Sequence, residues 1–182
     1  MQKLPHIAAA VLALLAPTIA AAEAPDIGYL PTPQPAVEQM LKLAEVKPGE
    51  LVYDLGCGDG RIVITAARRF GARGIGVEID PALVRRSRTN VRRHRLGKRV
   101  TIKQADIFKI DFSDADVVAL YLLPELNARL LPQLRKLKPG ARIVSFEFDI
   151  PGVPPQRTIE GSHDGAHYKI HKWVTPLPAS GG

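Results

Sequence analysis

Short apolar runs alternate with amphipathic stretches along most of this chain. Runs near residues 51–55, 73–79, 99–104 and 116–122 are each bounded by turn-forming residues, as buried strands are. Between them, segments near 60–70, 81–96 and 124–137 carry apolar residues at helical spacing. Strand, helix and strand in this rhythm predict an α/β fold: a mostly parallel sheet with helices on both faces. A fifth strand is expected from about Ala141 to Phe148. Ahead of the first strand, Thr32-Pro33 offers an N-cap type of residue and a proline for a helix's first turn, followed by the apolar stripe Val37, Met40, Leu41 and Ala44. Near the other end, Gln156–Glu160 and His167–Val174 flank Gly161-Ser162-His163-Asp164-Gly165, the signature of a hairpin. Residues from Pro176 to Gly182 read as a loose tail.

The first residues break this rhythm. Lys3 precedes an apolar run from Ile7 to Ala22 interrupted only by Pro17 and Thr18, and Ala20-Ala21-Ala22 before Glu23 forms an A-x-A cleavage site. The run is short and alanine-rich beside the ~20 apolar residues that span a bilayer. It is expected to be an export signal cleaved after Ala22, which places the protein in the periplasm and confines membrane contact to this segment. An uncleaved anchor or a cytoplasmic protein are the alternatives, and the lack of arginine argues against a mitochondrial presequence. The expected organisation is a signal at 1–22, one domain at 23–175 and the tail at 176–182. With 182 residues, 46% of them hydrophobic, the chain has material for one core. Cys57 is the only cysteine, so no internal disulfide forms.

The first strand ends in chemistry. Val52-Tyr53-Asp54-Leu55-Gly56-Cys57-Gly58-Asp59-Gly60 runs from an apolar strand through an acid into three alternating glycines before a helix. Such a loop lets main-chain N–H groups approach a nucleoside-bearing ligand. A dinucleotide fingerprint spaces its glycines G-x-G-x-x-G and offers a pyrophosphate to the helix N-terminus. Here the third glycine comes one residue early and Asp54 stands before the first. A carboxylate there repels a diphosphate and suits a ligand carrying an amine and a sulfonium, S-adenosylmethionine (SAM). Glu78 follows Gly58 by twenty residues, where an acid holds a ribose diol, and Ile79 beside it is grouped with the cofactor residues. The third strand leads to Asp106, placed to accept from the exocyclic amine of adenine, and Ile107, placed to cover a face of the ring. Acids that merely cap helices are the plainer reading of the same residues.

These stretches resemble the class I, seven-stranded SAM-dependent methyltransferases. Tyr29-Leu30-Pro31-Thr32-Pro33, Val46-Lys47-Pro48-Gly49, the loop through Arg61-Ile62-Val63, Leu137-Lys138-Pro139-Gly140 with the following strand to Ser145, and Glu147-Phe148 are most similar to the small protein-lysine methyltransferases. That group includes archaeal broad-specificity enzymes and the mitochondrial enzymes acting on ATP synthase subunit c and the adenine nucleotide translocase. The resemblance implies that Tyr29 and Thr32 close over the methionine end of SAM while Gly56, Gly58, Glu78 and Asp106 hold the rest. It also implies that the hairpin supplies a sixth strand and an antiparallel seventh. Relatives commonly carry Ser-His-Glu-Phe where this chain has Ser145-Phe146-Glu147-Phe148, so that histidine's role is not carried over.

Methyl transfer is an in-line attack by a lone pair, which needs alignment of the two partners and exclusion of water. Lysine must first lose a proton, and an apolar, aromatic-lined site disfavours its ammonium. Tyr121, Phe148 and Glu147 are the candidates to line that site, with Tyr121 orienting the amine; packing before a proline-started helix is the other reading of Tyr121. Tyr121-Leu122-Leu123-Pro124 differs from the Asn/Asp-Pro-Pro-aromatic motif of DNA aminomethyltransferases, which argues against them. The expected activity is methylation of protein lysine. Transfer to a small molecule or RNA is the alternative enzyme, and a SAM-binding protein without turnover is the alternative of another class, because export would part the protein from cytosolic SAM. The oligomeric state is not legible.

Charge changes the picture in one place. The net charge is +7, one less once Lys3 is lost, and residues 85–99 hold Arg85, Arg86, Arg88, Arg92, Arg93, Arg95, Lys98 and Arg99 without an acid. A solvated helix face is the expected reading rather than a nucleic-acid surface, because no aromatic residues are interleaved to stack bases. His163, His167 and His171 fall on the hairpin with no cysteine beside them, so no metal is expected.

Overall fold

In the computed structural model of this protein residues 29–178 are described; the expected export signal and residues 179–182 lie outside the described residues. The elements run α1 (Gln34–Leu43), β1 (Leu51–Leu55), α2 (Arg61–Arg69), β2 (Arg73–Glu78), α3 (Pro81–Arg93), β3 (Val100–Gln104), β4 (Val117–Leu120), α4 (Pro124–Leu134), β5 (Arg142–Phe146), β6 (Arg157–His163) and β7 (Ala166–Val174). They form a seven-stranded sheet ordered β3-β2-β1-β4-β5-β7-β6. Strands β1 to β5 are mutually parallel where they pair, and β7 runs antiparallel to both β5 and β6.

All five residues of β1 are buried, as a strand covered on both sides requires. Its register sets Val52 opposite Gly74 and Val117, and Gly74 opposite Val100, so these four residues share one face. Helices α1, α2 and α3 cover that face: Met40, Leu41, Ile62 and Ala66 pack on Val52, Val117 and Val144, and Val63, Val84 and Val91 on Val100 and Ile102. Gly74 keeps α2 close, since a Cβ there would lie 2.7 Å from Cβ of Val63. On the other face Leu51, Tyr53, Leu55, Val118 and Ile143 pack with Leu130 and Leu134 of α4 and with Trp173.

Several element ends differ from expectation for local reasons. Helix α1 has Pro33 at its cap position with no side-chain cap bond, because buried Thr32 gives its carbonyl to Arg61 and does not cap. Helix α3 stops at Arg93 rather than near 96: Arg95 has φ +57, and the Leu96 N–H turns back to the Val91 carbonyl at 3.0 Å. The hairpin is tighter than its polar connector implied. Asp164 and Gly165 both have positive φ, matching a two-residue turn, so β6 and β7 extend through residues expected to be loop. Strand β5 ends at Phe146 because the chain reverses at Glu147. Past β7, Leu177 is buried in the Trp173 cluster and the Pro178 carbonyl accepts from Arg135 at 3.1 Å, so the start of the expected loose tail is packed.

Trp173 is fully buried and its Nε1–H donates to the Val153 carbonyl at 2.8 Å. Trp173→Ala is expected to lower stability by about 3–5 kcal/mol in a denaturant titration followed by circular dichroism. A loss under ~1 kcal/mol would mean that this face repacks without it.

Candidate functional site

The turn after β1 is fastened to the end of β2. The N–H groups of Gly56 and Cys57 both donate to the Val77 carbonyl at 2.9 Å, and that of Gly58 donates to Glu78 Oε2 at 2.9 Å. The second oxygen, Oε1, accepts from Ile79 N at 2.8 Å and Asp80 N at 3.0 Å. One buried carboxylate therefore shapes both the glycine loop and the end of its own strand. Gly58 has φ +53, and a Cβ there would overlap the ring of Tyr29. The residue thus serves the turn as well as the close approach.

Asp54 is the opposite case. It is 2% exposed, and its Oδ2 has no hydrogen-bond partner. Burial, with the nearby charges of Glu78 and Asp59, pushes its pKa up to about 8. A buried carboxylate oxygen without a donor calls for a cation or a donor from outside the chain. Asp54 lines a cleft of about 340 Å³ with Tyr29, Leu30, Thr32, Gly56, Tyr121 and Phe148. An amine-bearing, sulfonium-bearing ligand fits that demand.

The roof of the cleft is tied down by a guanidinium. Arg61 donates through Nε to Asp59 Oδ1 at 3.0 Å, through Nη2 to Asp59 Oδ2 at 2.8 Å and through Nη1 to the Thr32 carbonyl at 2.7 Å. Burial raises the Asp59 pKa, but the bonds to Arg61 outweigh it and hold the carboxyl below its ordinary value. The Tyr29 hydroxyl accepts from Asp59 N at 3.3 Å, and Arg86 lies 5.7 Å over the Tyr29 ring. The segment before α1 is thereby pinned over the glycine loop.

Across the cleft the rings gather. Tyr121, just past β4, meets Phe146 edge-on at 4.8 Å between centroids and stacks on Phe148 at 6.2 Å. Burial and the neighbouring charge of Glu147 push the Tyr121 pKa up, so the phenol keeps its proton. Glu147 has φ +64, and the Phe148 N–H donates to the Phe146 carbonyl at 2.8 Å across it. This is a γ-turn of the rare, positive-φ kind, a conformation that costs of order 1–3 kcal/mol and gathers at functional sites.

Sequence and fold comparisons give this geometry a family. The profile of the ANTKMT methyltransferase domain matches residues 54–157. The chain belongs to that family. A protein-lysine N-methyltransferase of Saccharolobus islandicus is 40% identical over 152 residues, covering 82% of this chain and 94% of its own. The adenine nucleotide translocase lysine N-methyltransferase of mouse is 34% identical, over 80% of this chain and 64% of its own length. A crystal structure described as an RNA methyltransferase from Salinibacter ruber, in complex with S-adenosyl-L-homocysteine, is 46% identical with a TM-score of 0.76, covering 81% and 94% of the two chains.

In this methyltransferase, Tyr29, Thr32, Asp54, Gly56 and Tyr121 share the cleft, whereas Gly58 and Glu78, bonded to each other, stand outside its lining and shape the loop that carries Gly56. Ile79, Asp106, Ile107 and Glu147 are not in its lining. Ile79 is exposed beyond β2, and Asp106 gives Oδ1 to the Phe108 N–H at 3.0 Å. Sequence reasoning gave no role to Asp59 and Arg61, although the fragment Asp59-Gly60-Arg61 stood inside the quoted loop. It also missed Asn127, whose buried amide donates to the carbonyls of Leu122 at 3.3 Å and Asp149 at 2.9 Å and joins the ends of β4 and β5. A lone Asn on a helix carries no sequence signal for that. The arginines of residues 85–99 are exposed, with Arg88 reaching the Ile102 carbonyl. Among the described residues no cluster of His, Cys, Asp and Glu could hold a metal.

Two measurements test this electrostatic reading. Asp54 stays protonated to about pH 8 in the free protein, whereas a carboxyl in an unfolded chain ionises near 4. The native state thus binds the extra proton between those limits, and the free protein loses stability as pH rises across them. Binding a cation must expel that proton. Calorimetry at pH 6.5 in buffers of differing ionisation enthalpy should show close to one proton released per SAM bound, and none for Asp54→Asn; no release by the wild-type protein would mean that Asp54 is already ionised. Glu78→Ala strips three N–H groups of their acceptor, so it should destabilise the fold by about 1–3 kcal/mol and weaken SAM binding as well. Unchanged SAM affinity would remove Glu78 from the ribose role.

Proposed function

We propose that this methyltransferase uses SAM to methylate the side-chain amine of lysine in protein substrates. The cleft carries the reading: an acid-walled, apolar slot whose lining includes Tyr121, Leu122, Leu126 and Phe148. Such walls suit the four-carbon stem of lysine and disfavour its ammonium, favouring the neutral amine that reacts. When bound, SAM supplies a methyl group on a cationic sulfur. Asp54 would hold the cofactor's amine, the Glu78 carboxylate its ribose, and Asp106 with Ile79 and Ile107 its base, the last four from beyond the cleft's present lining. The protonated Tyr121 hydroxyl would orient the acceptor nitrogen, and Glu147, outside the lining but with its charge felt at Tyr121, would draw off the proton that the ammonium sheds. The lysine-directed names of the archaeal and mouse relatives support this reading.

RNA is the second reading, favoured by the name of the Salinibacter relative and by the acid-free arginine face of α3. Incubating the protein with labelled SAM and separate pools of protein, RNA and small metabolites distinguishes the cases. Label at lysine, located by mass spectrometry, is expected. Label in RNA would overturn the lysine reading, and SAM binding without transfer to any pool would make the protein a binder. Tyr121→Phe should lower kcat up to roughly tenfold, the worth of one hydrogen bond, with SAM affinity within twofold of wild type; full turnover would confine Tyr121 to packing. Export of residues 1–22 is proposed on sequence grounds alone. A mature chain beginning at Glu23 in the cell envelope supports it, and a cytosolic chain beginning at Met1 would sink it.

A further inference from the structure

The γ-turn at Glu147 is held from outside by β7. Its N–H donates to the Lys169 carbonyl at 2.8 Å, and its own carbonyl lies 3.3 Å from Nε2 of His171. That carbonyl can only accept, so Nε2 carries the hydrogen. In the neutral ring Nδ1 is then the acceptor, and Thr158 of β6, whose Oγ1 lies 2.9 Å away, donates to it. Register supports the arrangement, because His171 stands opposite Ser145 on one side and Thr158 on the other. The imidazole is buried against Trp173, with ring centroids 5.9 Å apart, and so is held in place.

We infer that His171 is a positioning residue for methyl transfer, fixing Glu147 in its strained turn and so holding Phe146 and Phe148, on either side of it, against Tyr121. The chain of contacts runs Thr158, His171 and the Glu147 carbonyl, and thence through Phe146 and Phe148, on either side of Glu147, to the Tyr121 ring in the cleft. His171 does not replace the histidine implied by resemblance at position 146. Phe146 pairs with Ile170 and packs on the α1 side of the sheet, whereas His171 faces the side of Trp173. The inference rests on the lysine reading only for the acceptor that Tyr121 meets; its structural half stands alone.

The test uses the full chain. His171→Phe keeps a ring against Trp173 and loses Nε2; it should lower kcat on a lysine acceptor about tenfold while SAM affinity stays within twofold. His171→Gln, whose amide can reach the same carbonyl, should recover most of that loss. Thr158→Val, which unsettles the tautomer from the exposed outer strand, should lower kcat severalfold. In a Glu147→Gly background, where glycine takes positive φ unaided and the carboxylate is gone, His171→Phe should cause no further loss. Unchanged kcat in folded His171→Phe and Thr158→Val, or equal losses in both backgrounds, would overturn the inference. Thermal unfolding gives a readout independent of activity: Glu147→Gly should raise Tm more in the His171→Phe protein than in wild type. Equal rises would show that His171 does not hold the turn, whereas a wild-type protein that fails to methylate lysine while keeping this Tm coupling would sink the lysine reading alone.

Discussion

Three main-chain N–H groups converge on the carboxylate of Glu78, and the functional end of the sheet depends on that convergence. A glycine-containing turn has many shapes open to it, and an acceptor at a fixed place on β2 selects one. Because Gly56 and Cys57 also donate to Val77, the whole turn is referred to β2 rather than to its own strand. The loop is then as rigid as the β1–β2 ladder beneath it. Asp54, one residue before the end of β1, is carried to its place by the same ladder. The two acids are close in the fold and opposite in circumstance. Glu78 is satisfied by the protein itself, and Asp54 keeps a buried oxygen for something the protein does not supply. Their environments set the two carboxyls apart: Glu78 is a scaffold for the loop before it is anything else, and Asp54 is a receptor alone.

The walls of the cleft come from distant parts of the chain, and each is secured by a side chain bonded to main-chain carbonyls. Arg61 binds the carbonyl of Thr32 and so ties the segment before α1 to the loop after β1. Asn127 binds the carbonyls of Leu122 and Asp149 and so ties the end of β4 to the end of β5. Contacts of this kind set where backbone runs without placing anything inside the cavity. They leave the lining free to be apolar, which keeps Asp54 protonated while the cleft is free and strengthens its attraction for a cation once that proton is expelled.

Most of the fold was legible because buried parallel strands and amphipathic helices write their periods directly into the residue order. Val52 to Leu55 and Gly74 to Glu78 could be read as strands ending in acids without any knowledge of pairing. The cofactor side was legible for the same reason, since it is assembled at strand ends that follow one another along the chain. What escaped was set by contacts between residues far apart in sequence. Thr32 looked like a helix cap, and only the approach of Arg61 shows its carbonyl to be otherwise engaged. Strand β5 looked two residues longer because Glu147 carries no turn signal; its reversal is enforced from β7, over twenty residues away. Leu177, which composition consigns to a tail, finds a buried place beside Trp173.

The order of the last strands has a consequence for how this protein can vary. Strand β7 has two neighbours, while β6 touches the sheet through β7 alone. The dependence is hierarchical: whatever alters β6 is filtered by an interior strand before it reaches the centre, whereas a change in β7 strips β5 of its outer support. Apart from Thr158, Ile159 on the core and Gly161 under the Tyr168 ring, the outer strand is therefore a replaceable border, open to changes of charge and to a longer turn beyond Asp164-Gly165. Lineages that keep the same chemistry could refit that border to new macromolecular surfaces, with the machinery behind it left alone.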